Sequence, residues 1–269
     1  MLNYRQLVKG FAQFTRDPKK PVIAHASYKA FGEIQGGPDA LLGAILSAFP
    51  RLMMPAFTYQ TMVTPEVGPE NNGMAYGGAA AQENAYAEFF SADLPVHPEI
   101  GVLSETLRKH PKSARSTHPI LSFCGIEVAD ALSSQTLQNP FAPIGKLAEE
   151  DGYVLLLGVD HTANTAIHYA EALSARKQFT RWALANGRVV ECPNFPGSAA
   201  GFQALHLHIE RFVQQAQVGA ARVQLIPLGA LIDTVKTLLH ADPLALLTEE
   251  NPDARTLAVM QSVNTVRLN

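Results

Sequence analysis

Two cysteines stand in 269 residues, Cys124 and Cys192, each isolated in the chain. That spacing and density exclude a disulfide-stapled secreted scaffold and fit a reducing cytoplasm, the expected location. No apolar run approaches the roughly 18 residues of a membrane span. The first eleven residues read as an amphipathic helix with interspersed charges rather than a leader, so an unprocessed soluble protein is expected. Basic character is also scarce: 21 Lys and Arg face 24 Asp and Glu, and no cluster runs beyond Asp17-Pro-Lys-Lys20. Nucleic acid is therefore excluded as a partner. Repeats and low-complexity segments are absent. So are a Walker lysine-serine pair, a three-glycine dinucleotide fingerprint and a Gly-x-Ser-x-Gly elbow. A serine hydrolase on an α/β sheet keeps only Ser27, which follows a strand without flanking glycines.

What is present is a hydrophobic content of 47%, enough to bury a large core, and the length suits one domain over residues 1–269. Strand patterns at 20–25, 51–57, 120–124, 153–157, 178–184, 188–192 and 222–228 alternate with helix patterns at 40–49, 99–110 and 201–217 and two more at the carboxyl end. The class is α/β. Asn186-Gly187 marks a hairpin between two of the strands. Residues 58–80 have no periodicity and form a long loop containing Glu66, Glu70 and Tyr76, either a pocket cover or a surface excursion. Gly36-Gly37 before Pro38 reads either as an anion-accepting helix start or as an ordinary strand-to-helix turn.

The most informative stretch is Tyr153-Val-Leu-Leu-Leu-Gly-Val-Asp-His-Thr-Ala-Asn-Thr-Ala-Ile-His-Tyr-Ala-Glu171. A buried strand ends at Gly158 and a helix opens at Thr162 or Asn164, both good N-caps. Thr165, His168 and Glu171 then recur every third position along one helix face. In an open α/β sheet, ligands sit beyond the carboxyl ends of the strands, where this helix begins. An imidazole titrates close to neutral pH and suits a general base, beside a carboxylate that could orient it or bind a cationic substrate. A metal centre does not fit. His161 and His168 are about 10 Å apart on a straight helix, and His206-Leu-His208-Ile-Glu210 has the wrong spacing for a second ligand pair. His206 and His208 read as structural or surface residues, and Cys124 in its apolar strand as an inert thiol.

Six short motifs in order complete the reading. They are His25-Ala-Ser27 with Gly36-Gly37, Pro55-x-Phe-Thr58, Arg115-Ser-x-His-Pro119, Pro143-x-Gly-x-Leu147, Leu156-Leu-Gly-Val and Asn164-Thr-x-x-His168-x-Ala-Glu171. Together, over residues 20 to about 210, they resemble the aminoglycoside 3-N-acetyltransferase family. The resemblance implies a layered α/β/α sandwich with a mixed central sheet, distinct from the common acetyltransferase fold whose Gln/Arg-x-x-Gly-x-Gly/Ala signature is missing. It implies acetyl-CoA as co-substrate, a small amine as acceptor, no metal, and a monomer or homodimer. It makes His168 the general base, Glu171 its acidic neighbour and Thr165 a candidate oxyanion donor. His25, Ser27, Lys29, Gly36, Gly37, Arg115, Ser116 and His118 would surround the coenzyme, with Arg115 on a phosphate. Residues 59–80 and those after Phe195 depart from the family pattern and would shape the acceptor pocket, for which Glu66, Glu70, Glu99 and Glu171 are the candidate carboxylates. A non-catalytic CoA-binding protein of the same fold is the alternative.

Overall fold

A computed structural model describes residues 1–248 and 250–268, with side chains to residue 265. The elements in chain order begin with α1 (Tyr4–Phe11), β1 (Val22–Ala26), α2 (Gly37–Ala48), β2 (Leu52–Pro55), β3 (Met62–Val63) and α3 (Val102–Lys109). Next come β4 (Ala114–Arg115), β5 (Phe123–Ile126), α4 (Ala129–Ser133), α5 (Ala142–Glu149), β6 (Tyr153–Leu157) and α6 (Thr165–Leu173). The hairpin β7 (Phe179–Ala185) and β8 (Arg188–Phe195) follows, then α7 (His206–Ile209), β9 (Gln214–Val218), β10 (Ala221–Pro227), α8 (Leu228–Ala241) and α9 (Ala254–Leu268).

The main sheet is mixed, in the order β4-β5-β2-β1-β6-β10-β9. Strands β1, β2 and β6 run parallel, and β10 and β5 pair antiparallel to β6 and β2. Because strand side chains alternate, the central strands split their residues between two apolar layers. Val22, Ala24, Leu155, Leu157, Val223 and Leu225 pack with Leu7 and Phe11 of α1, Leu41 and Ile45 of α2, and Leu103 and Leu107 of α3. Ile23, Val154, Leu156 and Ile226 pack with Ile144 of α5, Ile167 of α6 and Leu231 and Val235 of α8. Helices on both faces of one sheet give the expected α/β/α layering.

A second, three-stranded sheet, β3-β7-β8, was not anticipated. Its hairpin turn was: Asn186 and Gly187 both take positive φ (52° and 73°), the conformation that lets a two-residue connection follow the strand twist. Two other expectations need correction. The apolar run at 120–124 yields a strand only from Phe123, because the N–H groups of Ile120 and Leu121 donate to His118 Nδ1 and the chain is still turning there. The stretch at 201–217 is not one helix. Two 3-10 turns flank the four-residue α7, and Gln214–Val218 leaves to pair with β10 as an edge strand. Residues 115–119, read as a loop, begin inside β4, where Arg115 is paired with Cys124.

Candidate functional site

At the carboxyl end of β6 the chain turns on Gly158, whose φ is +68° and where a Cβ would lie 2.3 Å from the Ala30 Cβ. Only glycine fits both conditions. A short 3-10 turn, His161–Ala163, follows, and the Asn164 side chain then caps α6 by accepting the Ala166 N–H at 3.2 Å. This places Thr165 at the first position of α6 and His168 one turn further along. Both line a cavity of about 350 Å³, together with His25 from β1, Tyr59, Glu99, Thr162, Asn164, Phe195 and Arg255.

The His168 ring is wedged between Phe141, stacked with centroids 6.1 Å apart, and Phe202, edge-on at 4.7 Å. Its Nδ1 lies 2.8 Å from Glu171 Oε2, and Glu171 is 1% exposed. A carboxylate accepts, so the Nδ1–H donates to Glu171 and Nε2 is the ring nitrogen left without that partner. The other oxygen, Glu171 Oε1, accepts from Arg176 Nη1 at 2.8 Å, while Arg176 Nη2 donates to the carbonyls of Pro243 and Ala245. Arg176 escaped the sequence reading because its approach depends on how α6 ends. Ala175 adopts φ +55°, the Ala175 N–H returns to Ala172 and the Arg176 N–H to Glu171, so the next side chain swings back against the helix. Glu171 is thus sealed behind the imidazole. Of the two roles left open by the sequence, its burial and its contact with Nδ1 favour orienting the ring over meeting a cationic substrate.

His25 and Thr165 join His168 at the cavity, whereas Ser27, Lys29, Gly36 and Gly37 do not line it. Gly36 and Gly37 (φ +87° and +63°) start α2 on the opposite face of the sheet. Arg115 has a different task from the one expected. Nε donates to Ser122 Oγ, Nη1 to the carbonyls of Ala92 and Leu94, and Nη2 to that of Ala56, so four of its five N–H groups are committed to the chain. Burial pushes its pKa down to about 10. Ser116 Oγ accepts the Phe123 N–H, and His118 Nδ1 accepts two more main-chain N–H groups. The three residues build a turn; none lines the cavity or the groove beside it.

That groove, lined by Ala30, Gly158, Asp160, Gln203, Gln224 and the exposed Arg222, shares Val159, Thr162 and Ala163 with the cavity. The two spaces adjoin at those three residues. Of the candidate acceptor carboxylates, Glu99 lines the cavity, while Glu66 and Glu70 stay on the exposed loop. Arg255, held by Asp253 Oδ2 at 3.2 Å, reaches the cavity from α9 and was not anticipated. Burial, then Glu99, raises the Tyr59 phenol to about 12, keeping it a donor. Among the described residues, no group of three or more His, Cys, Asp or Glu could hold a metal ion, and no helix is long and apolar enough to cross a membrane.

Comparison with known proteins relates this chain to a group of enzymes. Aminoglycoside N(3)-acetyltransferase IV of Salmonella sp is 29% identical over 161 residues, 58% of this chain and 54% of the relative. Aminoglycoside N(3)-acetyltransferase VII of Streptomyces paromomycinus is 30% identical over 159 residues, 57% and 54% of the two chains. The chain spans about half the length of these curated relatives (54%). The crystal structure of aminoglycoside acetyltransferase AAC(3)-IVa, apoenzyme, superposes with a TM-score of 0.78 at 25% identity over 97% of each chain. A mutant of the same enzyme in complex with a gentamicin gives 0.77 at 24%, also over 97% of each. The family model described as aminoglycoside 3-N-acetyltransferase matches residues 23–240, and with that the chain belongs to the aminoglycoside 3-N-acetyltransferase family.

Proposed function

We propose that the chain acts as one domain that transfers the acetyl group of acetyl-CoA to a primary amine of a small molecule, with the 3-amino group of an aminoglycoside as the acceptor suggested by its relatives. One observation carries the reading: a His168 imidazole whose Nδ1 is fixed by Glu171, itself fixed by Arg176, beside a cavity at the carboxyl edge of the parallel strands. An amine at neutral pH is mostly ammonium and attacks a thioester only after losing a proton. His168 Nε2 takes that proton, and the Glu171 carboxylate stabilises the imidazolium that results. The amine nitrogen then bonds to the thioester carbonyl carbon. On collapse the C–S bond breaks, the coenzyme's sulfur leaves with the proton from His168, and the nitrogen sheds its second proton to solvent to give the neutral amide. The Thr165 hydroxyl, at the start of α6, is a donor for the developing oxyanion.

We assign the coenzyme to the groove that adjoins the cavity at Val159, Thr162 and Ala163. Its phosphates would meet the exposed guanidinium of Arg222 and the exposed ammonium of Lys29, next to the groove residue Ala30. Ser27 and Gly36-Gly37 remain candidates for its outer contacts.

The test is His168→Gln, assayed by CoA release with a panel of amines. The expected result is a fall in kcat of about 10² to 10⁴-fold with CoA affinity close to wild type. A folded variant with full turnover would refute the role. Coenzyme binding without turnover by the wild-type protein on every amine would favour the non-catalytic reading instead.

A further inference from the structure

The face of β1 turned toward α6 carries Ile23 and then His25. Ile23 is fully buried in the apolar layer with Val154, Leu156 and Ile167, so the next inward position calls for another apolar side chain. His25 stands there instead, 5% exposed, in parallel register with Leu156 of the strand that feeds α6. Its Nε2 is buried and has no hydrogen-bond partner among the described residues, and no hydrogen bond is made by Nδ1 either. A buried polar group left without a partner costs stability, and such groups persist where something else requires them. The side chain lines the same cavity as Thr165 and His168. Burial, and next to it the neighbouring His168, push its pKa down to about 3, so the ring is neutral and cannot compete with His168 for the amine's proton.

We propose that His25 is a catalytic hydrogen-bond donor, holding the acetyl carbonyl oxygen as it becomes the tetrahedral oxyanion, from the β1 side of the cavity and opposite Thr165 on α6. The inference rests on the acetyl-transfer reading above. In the step concerned, with the ammonium proton already on His168, the amine nitrogen bonds to the carbonyl carbon and the carbonyl π electrons move to oxygen. His25 keeps its own N–H throughout and receives no proton. A neutral imidazole is suited to this because it donates without carrying a charge that would have to be buried. Oxyanion sites commonly combine two donors from different elements, and the β1 and α6 ends supply two.

His25→Phe separates this role from a structural one. Removing an unpartnered polar group in favour of an apolar ring should leave Tm unchanged or raise it. Under the proposal kcat nevertheless falls by about 10² to 10³-fold, while KM for acetyl-CoA stays within about twofold. His25→Leu, which extends the Ile23 series, is the second apolar replacement should the larger ring fail to fold. His25→Asn keeps an N–H donor and should recover at least about tenfold of the lost kcat. Turnover within about threefold of wild type in the apolar variants overturns the proposal, as does an asparagine variant no faster than they are. Either failure leaves the His168→Gln result standing. A wild-type protein that acetylates no amine removes the function and this inference together.

Discussion

His118 accepts the N–H groups of Ile120 and Leu121 on Nδ1, at 3.1 and 3.0 Å, and burial pushes its pKa from 6.5 down to about 4. In the unfolded chain the same imidazole titrates near 6.5, so between these values the unfolded state binds more protons. Its stabilising contribution is therefore complete above pH 6.5 and is lost as pH falls toward 4, by about 1.4 kcal/mol per unit of pH in that window. His118→Asn keeps an acceptor in the same place and removes the proton. The slope of unfolding free energy against pH between 6 and 4.5 should decrease by close to one proton's worth; an unchanged slope would assign the acid sensitivity elsewhere. At this scale the sequence showed part of the local geometry. His168 and Glu171 were legible because helical spacing fixes their relation, and Thr165 followed from the same period. Arg176 was not, because it depends on a left-handed alanine, and Arg115 was misread because a loop arginine looks the same whether it faces a phosphate or a ring of carbonyls.

Helix α6 depends on its first turn, where the Asn164 side chain satisfies the Ala166 N–H. Asn164→Ala should cost about 1 kcal/mol. Because that turn also sets Thr165 and His168, kcat should fall further than the stability loss alone would explain, while Asn164→Asp, which keeps the cap, should preserve the fold. Chemical denaturation beside steady-state kinetics reads both, and a variant losing stability but no turnover would detach the cap from the site. Elements of this kind were legible wherever a pattern is self-contained. The apolar start of β1 and the continuous apolar run of β6 declare a buried parallel pair, and Asn186-Gly187 declares its turn. Strands β3, β4 and β9 exist through their partners. Met62–Val63 and Ala114–Arg115 are too short to have a period, and Gln214–Val218 is polar because only one edge of it is paired.

At the scale of the molecule, charge distribution separates the groove from the cavity. Arg222 is exposed at the groove and Arg115 is buried among carbonyls, so Arg222→Ala should weaken CoA binding by about tenfold with little change in Tm. Arg115→Ala should do the reverse, lowering Tm while the protein that remains folded binds CoA normally; calorimetry on both variants checks the pair. In the cavity, the charged lining residues apart from histidine are Glu99, whose side chain is 76% exposed, and Arg255. A polycationic acceptor therefore meets one screened carboxylate and one guanidinium. Arg255→Gln should raise kcat/KM for polycationic amines by about fivefold, close to 1 kcal/mol, and leave a neutral aryl amine unaffected. Equal changes for both would place Arg255 outside the acceptor's reach.

Arg176 joins Glu171 to the main-chain carbonyls of Pro243 and Ala245, in the stretch between α8 and α9. During synthesis that stretch leaves the ribosome long after His25, His168 and Glu171 have emerged. A nascent chain thus holds the His168–Glu171 pair before it holds the carbonyls that fix Arg176, and the clasp is complete only once that later segment has packed against it.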